Sequence, residues 1–398
     1  MKKILILMSD TGGGHRAAAE AIRDALLRRH EAEVQLVDMF RSYTPFPFKY
    51  APDIYPWLIS HTKTGYVMGF KLSNSRRSAR TLSRGMYVTM EGRVKQMLRD
   101  HPADVVVSVH SVLTRIAMEA LMAQEKRPPF LVVVTDLVST HMFWYDRRAE
   151  RTLVPTQTAY DRGLRAGLRP DQMRITGLPV HPSFAESLTD KTTARAQLGW
   201  DPHLPAVLMV GGAEGMGPLY KNARAINGRG LNCQLAIVAG RNAALKEQLE
   251  ETRWNQPTHI YGYVDFMPRL MAAADILITK GGPGTISEAC IAGLPMIIYD
   301  AIPGQETGNV EYVVANRAGV FTTSVREVAD RVEQWLAEGP QGLARRSEAA
   351  RRIGRPNAVW EIAEEIWQYA QHPLIPTNRR TLWKEVSKAK RLLTSIGE

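Results

Sequence analysis

The run Thr279-Lys280-Gly281-Gly282-Pro283-Gly284-Thr285-Ile286-Ser287-Glu288-Ala289 gathers the residue types from which an anion site is made. The apolar Ile276-Leu277-Ile278 ahead of it reads as a buried parallel strand. Gly281, Gly282 and Pro283 then make a tight turn, and Ile286 to Ile291 read as a helix start. A helix opening from such a turn presents free backbone N–H groups and the positive end of its dipole, which suits a phosphate. Glu288, one turn in, can accept hydrogen bonds from a ribose diol. An ordinary strand-to-helix corner would look much the same if it stood alone, but this one does not.

A second corner opens the chain. Ile4-Leu5-Ile6-Leu7-Met8 is followed by Ser9-Asp10-Thr11-Gly12-Gly13-Gly14-His15 and then by good helix formers from Ala17 to Leu27. Five apolar residues are too few for a signal-peptide core or a membrane span, so this run reads as a strand. Gly12, Gly13 and Gly14 let the backbone approach a ligand closely, and His15 sits at the mouth of the helix. Gly12-x-Gly14-x-x-Ala17, with a second strand ending at Asp38, also imitates a dinucleotide fingerprint and its ribose-binding acid. A nicotinamide-dependent oxidoreductase is therefore one alternative. His15 inside the loop, and the stronger phosphate corner far downstream, argue instead for an acceptor site in one half and a nucleotide site in the other.

The elements that position these corners alternate as in parallel α/β domains. Val105–Val109 and Phe130–Val134 read as strands flanking a helix over 112–123 and ending in polar residues: His110, Thr135, Asp136, then His141 and Trp144. Gly177-Leu178-Pro179-Val180-His181-Pro182 punctuates the chain. The pattern restarts at Ala206–Val210, followed by Gly211-Gly212-Ala213-Glu214-Gly215-Met216-Gly217, with further strands at 234–238, 258–260, 276–279 and 295–299. This predicts two doubly wound domains, 1–180 and 181–371, and a tail over 372–398.

Composition narrows the classes further. The chain has 398 residues, 44% of them hydrophobic, and only two cysteines, Cys233 and Cys290, each in an apolar segment. Free buried thiols and a reducing compartment follow, and a disulfide framework does not. Of the formal charge of +11, residues 71–99 carry +7 and residues 379–391 carry +5, leaving the remainder near neutral. A bare charge run is a solvated face, and neither patch carries a nucleic-acid motif or aromatic ladder. Phe40, Tyr43, Phe46, Phe48, Tyr50, Tyr55, Trp57, Tyr66 and Phe70, interrupted by prolines, precede the first patch. Leu382, Val386, Ala389, Leu393 and Ile396 give the tail a basic amphipathic helix. Rings at headgroup depth and cations on anionic lipid would make this an interfacial surface.

The motifs MSDTGGGHRAAAEAI at the start, VVTDLVSTHMFWY at 133–145, GLPVHPSF at 177–184, VGGAEGMGP at 210–218, ITKGGPGTISEACIAGLP at 278–295 and IPGQETGNVEYVV at 302–314 carry a family resemblance over nearly the whole body. The chain resembles the monogalactosyldiacylglycerol synthase and processive diacylglycerol glucosyltransferase group of GT-B type glycosyltransferases. More distantly it is similar to the lipid II-forming N-acetylglucosaminyltransferase. Ala213 departs from the glycine expected there. The resemblance implies two Rossmann-like domains facing a central cleft, a UDP-galactose or UDP-glucose donor in the C-terminal one and diacylglycerol at the N-terminal one. It implies His15 as the catalytic base. It puts Gly284 and Thr285 at the diphosphate, Glu288 at the ribose, and Gln305 and Glu306 at hydroxyls of the donor sugar. The loop of Gly212, Glu214 and Gly215 borders the diphosphate, with Arg241 as cationic compensation. Asp10 and Asp136 are both candidates to orient His15.

The expected reaction is an inverting, metal-independent transfer of a hexose to a diacylglycerol hydroxyl, without a cofactor. A histidine takes the acceptor proton near neutral pH, and the leaving diphosphate is stabilised by a helix N-terminus and an arginine. No Asp-x-Asp metal signature occurs in the sequence. A nucleotide-sugar 2-epimerase on the same fold and a binder without turnover are further alternatives. The expected location is cytoplasmic, peripheral on the inner face of the cell membrane.

Overall fold

The computed structural model describes residues 1–10, 14–45, 48–50, 63–215 and 217–377. Gly13, Phe46, Tyr55, Trp57 and the basic tail from residue 378 lie outside the described residues. The chain divides into two compact units, one made of Met1–Pro182, Pro303–Gln305 and Asn357–Glu398, the other of Ser183–Ile302 and Glu306–Pro356.

The first unit is built on six parallel strands: β1 (Lys2–Met8), β2 (Ala32–Asp38), β3 (Val105–Ser108), β4 (Phe130–Val133), β5 (Arg151–Val154) and β6 (Met173–Ile175). They lie side by side in the order β2-β1-β3-β4-β5-β6. These strands are apolar almost throughout because both faces of the sheet are covered. Leu5, Leu7, Val106, Phe130 and Val132 point to one face, where they pack with Tyr87, Met90 and Val94 of a helix over Arg76–Asp100. Ile4, Ile6, Val105, Val107, Leu131 and Val133 point to the other, against Ala19, Ile22 and Leu26 of helix α1 (Gly14–Arg29). The period-two alternation of side chains thus feeds two separate cores from one run of sequence.

The second unit repeats the plan with β7 (Ala206–Val210), β8 (Gln234–Val238), β9 (Thr258–Tyr261), β10 (Ile276–Lys280), β11 (Met296–Asp300) and β12 (Gly319–Phe321). Their order is β9-β8-β7-β10-β11-β12. Chain order therefore reverses between β7 and β10, and in the first sheet between β1 and β3. Ligands of open parallel sheets bind at such reversals, beyond the carboxyl ends of the strands. The helix over Ala358–Ala370, which lies inside the stretch 181–371 read as the second domain, groups with the first unit. Val359, Ile362, Ala363 and Ile366 complete the core around α1, and Glu365 is clamped there by Arg151 at 2.8 Å and Arg174 at 2.7 Å.

Candidate functional site

His15 stands in the first turn of α1, just past the carboxyl end of β1. Its Nδ1 lies 2.9 Å from the Val109 carbonyl oxygen and 2.9 Å from the Thr135 hydroxyl. A carbonyl only accepts, so Nδ1 carries the hydrogen and Nε2 keeps its lone pair. The ring centroid is 4.4 Å from that of His110 and 6.2 Å from that of Trp144. Burial pulls the His15 pKa down to about 4, the Val109 hydrogen bond opposing it only in part. His110, packed against it, is held well below its ordinary value by burial and by His15 itself.

Neither aspartate expected to orient His15 does so, which corrects that expectation. Both Asp10 oxygens take Arg16, from Nε and from NH2, each at 2.8 Å, and this pair lowers the Asp10 pKa. Asp136 accepts from the Trp144 indole at 2.6 Å, and burial pushes its carboxyl up to about 6. The reason is local. Arg16 is six residues from Asp10 and can fork onto it, while Trp144 covers Asp136. His141 is tied into the scaffold, Nδ1 accepting from the Phe143 N–H and Nε2 meeting the Ser73 hydroxyl, each at 3.1 Å. The sequence carries no signal for the Val109 carbonyl, and Thr135 stands out in it only as a polar strand end.

In the second unit the helix α2 (Pro283–Ala292) follows β10 and starts three residues earlier than the sequence suggests, with Pro283 in its first turn and Gly282 as N-cap. Proline at that position costs nothing, because its missing N–H would have had no intrahelical acceptor. No side-chain cap closes this end, so the N–H groups of its first turn, those of Gly284 and Thr285 among them, have no capping side chain. A Cβ on Gly284 would meet nothing within 4 Å. Glu288 is half-buried one turn farther along, burial alone pushing its carboxyl up to about 7. No described residue hydrogen-bonds that carboxyl.

Because β7 pairs directly with β10, the loop from Gly211 to Gly217 borders the same reversal. Gly215 has φ +57°, and a Cβ there would fall 1.9 Å from the Ala239 carbonyl oxygen, so only glycine lets the loop lie against β8's exit. Gly212 (φ +75°) is exposed, with open space beside it. Arg241 pairs with Glu214 at 2.8 Å and lies 4.4 Å over the Tyr263 ring, on the exposed rim of this loop. The Glu306 carboxylate is buried and accepts from the Ile302 N–H at 2.8 Å, so it also holds its own loop. Gln305 is half-buried and groups with the first unit, and Gly14 is exposed at the start of α1. Among the described residues no cluster of three or more His, Cys, Asp or Glu side chains could hold a metal ion.

The model of monogalactosyldiacylglycerol (MGDG) synthase matches residues 15–180, and that of the glycosyltransferase family 28 C-terminal domain matches residues 206–352. A "Probable monogalactosyldiacylglycerol synthase 2, chloroplastic" of Oryza sativa subsp. japonica is 40% identical over 387 residues, covering 94% of this chain and 82% of the relative. Monogalactosyldiacylglycerol synthase 3, chloroplastic, of Arabidopsis thaliana is 37% identical over 382 residues, covering 93% and 82%. Among solved structures, Acinetobacter baumannii MurG superposes with a TM-score of 0.61 at 14% identity, over 92% of this chain and 100% of that one. The UDP-GlcNAc 2-epimerase of Neisseria meningitidis bound to UDP-GlcNAc does so at 0.59 and 16% identity, over 92% and 100%. These structures share the fold. The relatives correct the expected location: they are chloroplastic, which overturns a cytoplasmic enzyme on the inner face of a cell membrane. Among the described residues no helix is long and apolar enough to cross a membrane. With two parallel six-stranded sheets, both family models and this identity over nearly its full length, the chain belongs to the monogalactosyldiacylglycerol synthase family of GT-B glycosyltransferases.

Proposed function

We propose that this glycosyltransferase moves a galactosyl group from a UDP-sugar to the free hydroxyl of diacylglycerol, with inversion and with His15 as general base. The observation that carries the donor half is the Glu288 carboxyl, without a hydrogen-bond partner among the described residues, beside an uncapped helix N-terminus at the sheet reversal. A nucleoside diphosphate supplies what both groups need, a ribose diol and an anion. Galactose and diacylglycerol are favoured by the names of the relatives. The acceptor half rests on His15. Its Nε2 takes the hydroxyl proton while the oxygen's electron pair forms the bond to the anomeric carbon. The bond to the diphosphate breaks on the opposite face, and its electron pair leaves with UDP. The N–H groups of Gly284 and Thr285 meet that growing charge in a ready-made orientation. Gln305 and Glu306 are assigned to the sugar hydroxyls, and Arg241 to the diphosphate through release of its exposed pair with Glu214.

The ribose acid of the oxidoreductase alternative is engaged by backbone groups of its own fold. Asp38 Oδ1 accepts from the Arg41 N–H at 3.1 Å and Oδ2 from the Asp10 N–H at 3.2 Å, so both oxygens serve the fold. An acceptor that hardly leaves the bilayer requires the enzyme to meet a lipid surface. Met68 and Leu72, one turn apart, are 62% and 69% exposed, and Lys71 between them and Arg76, Arg77 and Arg80 at the start of the next helix are exposed as well. This supports contact with anionic lipid, each cation being worth at most about 1 kcal/mol there. The test is incubation with diacylglycerol in vesicles of graded phosphatidylglycerol content and a panel of labelled UDP-sugars. Galactosyl-diacylglycerol should form fastest from UDP-galactose on anionic vesicles. Product from no UDP-sugar, or a free epimerised sugar nucleotide, would overturn the proposal.

A further inference from the structure

We propose that Thr135, together with the Val109 carbonyl, is the positioning device that fixes the tautomer and aim of His15. This rests on His15 being the base. The Thr135 hydroxyl lies 2.9 Å from His15 Nδ1 and 3.4 Å from the Val109 oxygen. It donates its one hydrogen to the carbonyl and offers a lone pair to Nδ1–H, so the ring hydrogen is shared between two acceptors. The three groups come from the exits of β1, β3 and β4, which are immediate neighbours in the sheet. Val109 and Thr135 closely follow the adjacent strands β3 and β4, and His15 stands in the first turn of α1, against them.

The device is uncharged, which has a chemical consequence. A carboxylate on Nδ1–H would stabilise the imidazolium and raise the basicity of Nε2. Two neutral oxygens aim the ring without doing so, and the histidine stays neutral well into the acid range. The groups facing it reinforce this. His110 lies against the ring from the start of the helix over Ser111–Met122. Trp144, its ring 6.2 Å from that of His15, donates its indole N–H to the Asp136 carboxyl and so engages that charge. Asp10 is neutralised by Arg16. Thr135 is thus a positioning residue, acting on the reaction only through His15.

The test compares Thr135→Val, Thr135→Ser and Thr135→Asp by kcat, KM and pH profile, alongside histidine-labelled nitrogen NMR of the unsubstituted protein. Thr135→Val should lower kcat about tenfold or more with the donor KM unchanged, the range expected for part of a general-base effect. Thr135→Ser, which keeps the hydroxyl, should restore most of it. Thr135→Asp should move the acid limb of kcat/KM upward by about one pH unit or more, as an adjacent opposite charge does. NMR should show His15 with hydrogen on Nδ1. A Thr135→Val enzyme with unaltered kcat and profile, or a His15 ring carrying its hydrogen on Nε2, would overturn the proposal. If Thr135→Val does not fold, the serine variant and the NMR tautomer still decide. Full activity in His15→Ala would overturn the base assignment as well, whereas an inactive His15→Ala beside a normal Thr135→Val would overturn this proposal alone.

Discussion

The two glycine corners, one after β1 and one after β10, share a backbone plan and differ in how their polar groups are satisfied. At the first, the functional groups are already paired: Asp10 with Arg16, and His15 Nδ1 with Val109 and Thr135. At the second, the helix end is uncapped and Glu288 has no described partner. A base must be held in one orientation before the acceptor arrives, so its pairing is internal. A receptor for a nucleotide keeps its hydrogen bonds for the ligand, and bears the cost of burying unpaired groups until then. Under the proposed function the first corner would serve turnover and the second affinity.

That division is broken most directly at His15. His15→Ala should lower turnover at least about a hundredfold, the usual scale for a lost general base, with UDP affinity unchanged by titration calorimetry. A variant keeping more than a tenth of the parent activity would remove His15 from the chemistry. Glu288→Ala should do the reverse. Losing hydrogen bonds to a charged group is worth about 1.5–3 kcal/mol, so UDP should bind roughly tenfold or more weakly, with the acceptor dependence little altered. Unchanged UDP affinity would mean the nucleotide sits elsewhere.

Two glycines sharpen the contrast between building a site and filling it. A methyl on Gly215 collides with the Ala239 carbonyl, whereas a methyl on Gly284 meets empty space. Gly215→Ala should therefore lower both thermal stability and UDP affinity, because the loop must shift to accept it. Gly284→Ala should leave the melting temperature unchanged or slightly higher, since alanine is the better helix residue, yet weaken UDP several-fold by occupying the diphosphate's place. Equal UDP affinity in Gly284→Ala and the parent would show that this space is not the diphosphate's.

How much of this was legible in the sequence follows from the range of the forces involved. The strands β1, β3, β4, β7 and β10 were readable because a sheet covered on both faces demands unbroken apolar runs. The corners were readable because glycine and proline are local requirements. The partners of His15 were not. Asp10 and Asp136 are close to it by sequence or motif, but Arg16 and Trp144 compete for them. The true acceptors are a backbone oxygen and a threonine 94 and 120 residues away, and a backbone carbonyl leaves no mark in the residue string. The unit to which the last helix belongs is hidden in the sequence for a related reason. Its apolar face over Val359, Ile362 and Ile366 fits any core, and only the return of the chain to α1 decides which.

The smallest expected effect follows from the opposite signs of the His15 and Glu288 titrations. Burial lowers His15 to about 4 from an ordinary 6.5, so its contribution to stability is present above pH 6.5 and is lost as the pH falls through 4. Burial raises Glu288 to about 7 from an ordinary 4.5, so its contribution is present below pH 4.5 and is lost as the pH rises through 7. Above pH 7 the ligand-free fold therefore carries an ionised carboxylate that nothing in the described protein offsets. Glu288→Gln keeps the shape and removes the charge. At pH 8 it should melt a few degrees higher than the parent, the scale of about 1 kcal/mol in a unit of this size. At pH 4 the two should melt together. Saturating UDP should reverse the order at pH 8, because the ligand then rewards the carboxylate that the empty site penalises. A Glu288→Gln variant no more stable than the parent at pH 8 would mean that the Glu288 carboxylate is already paired without ligand, and the second corner would then be filled like the first.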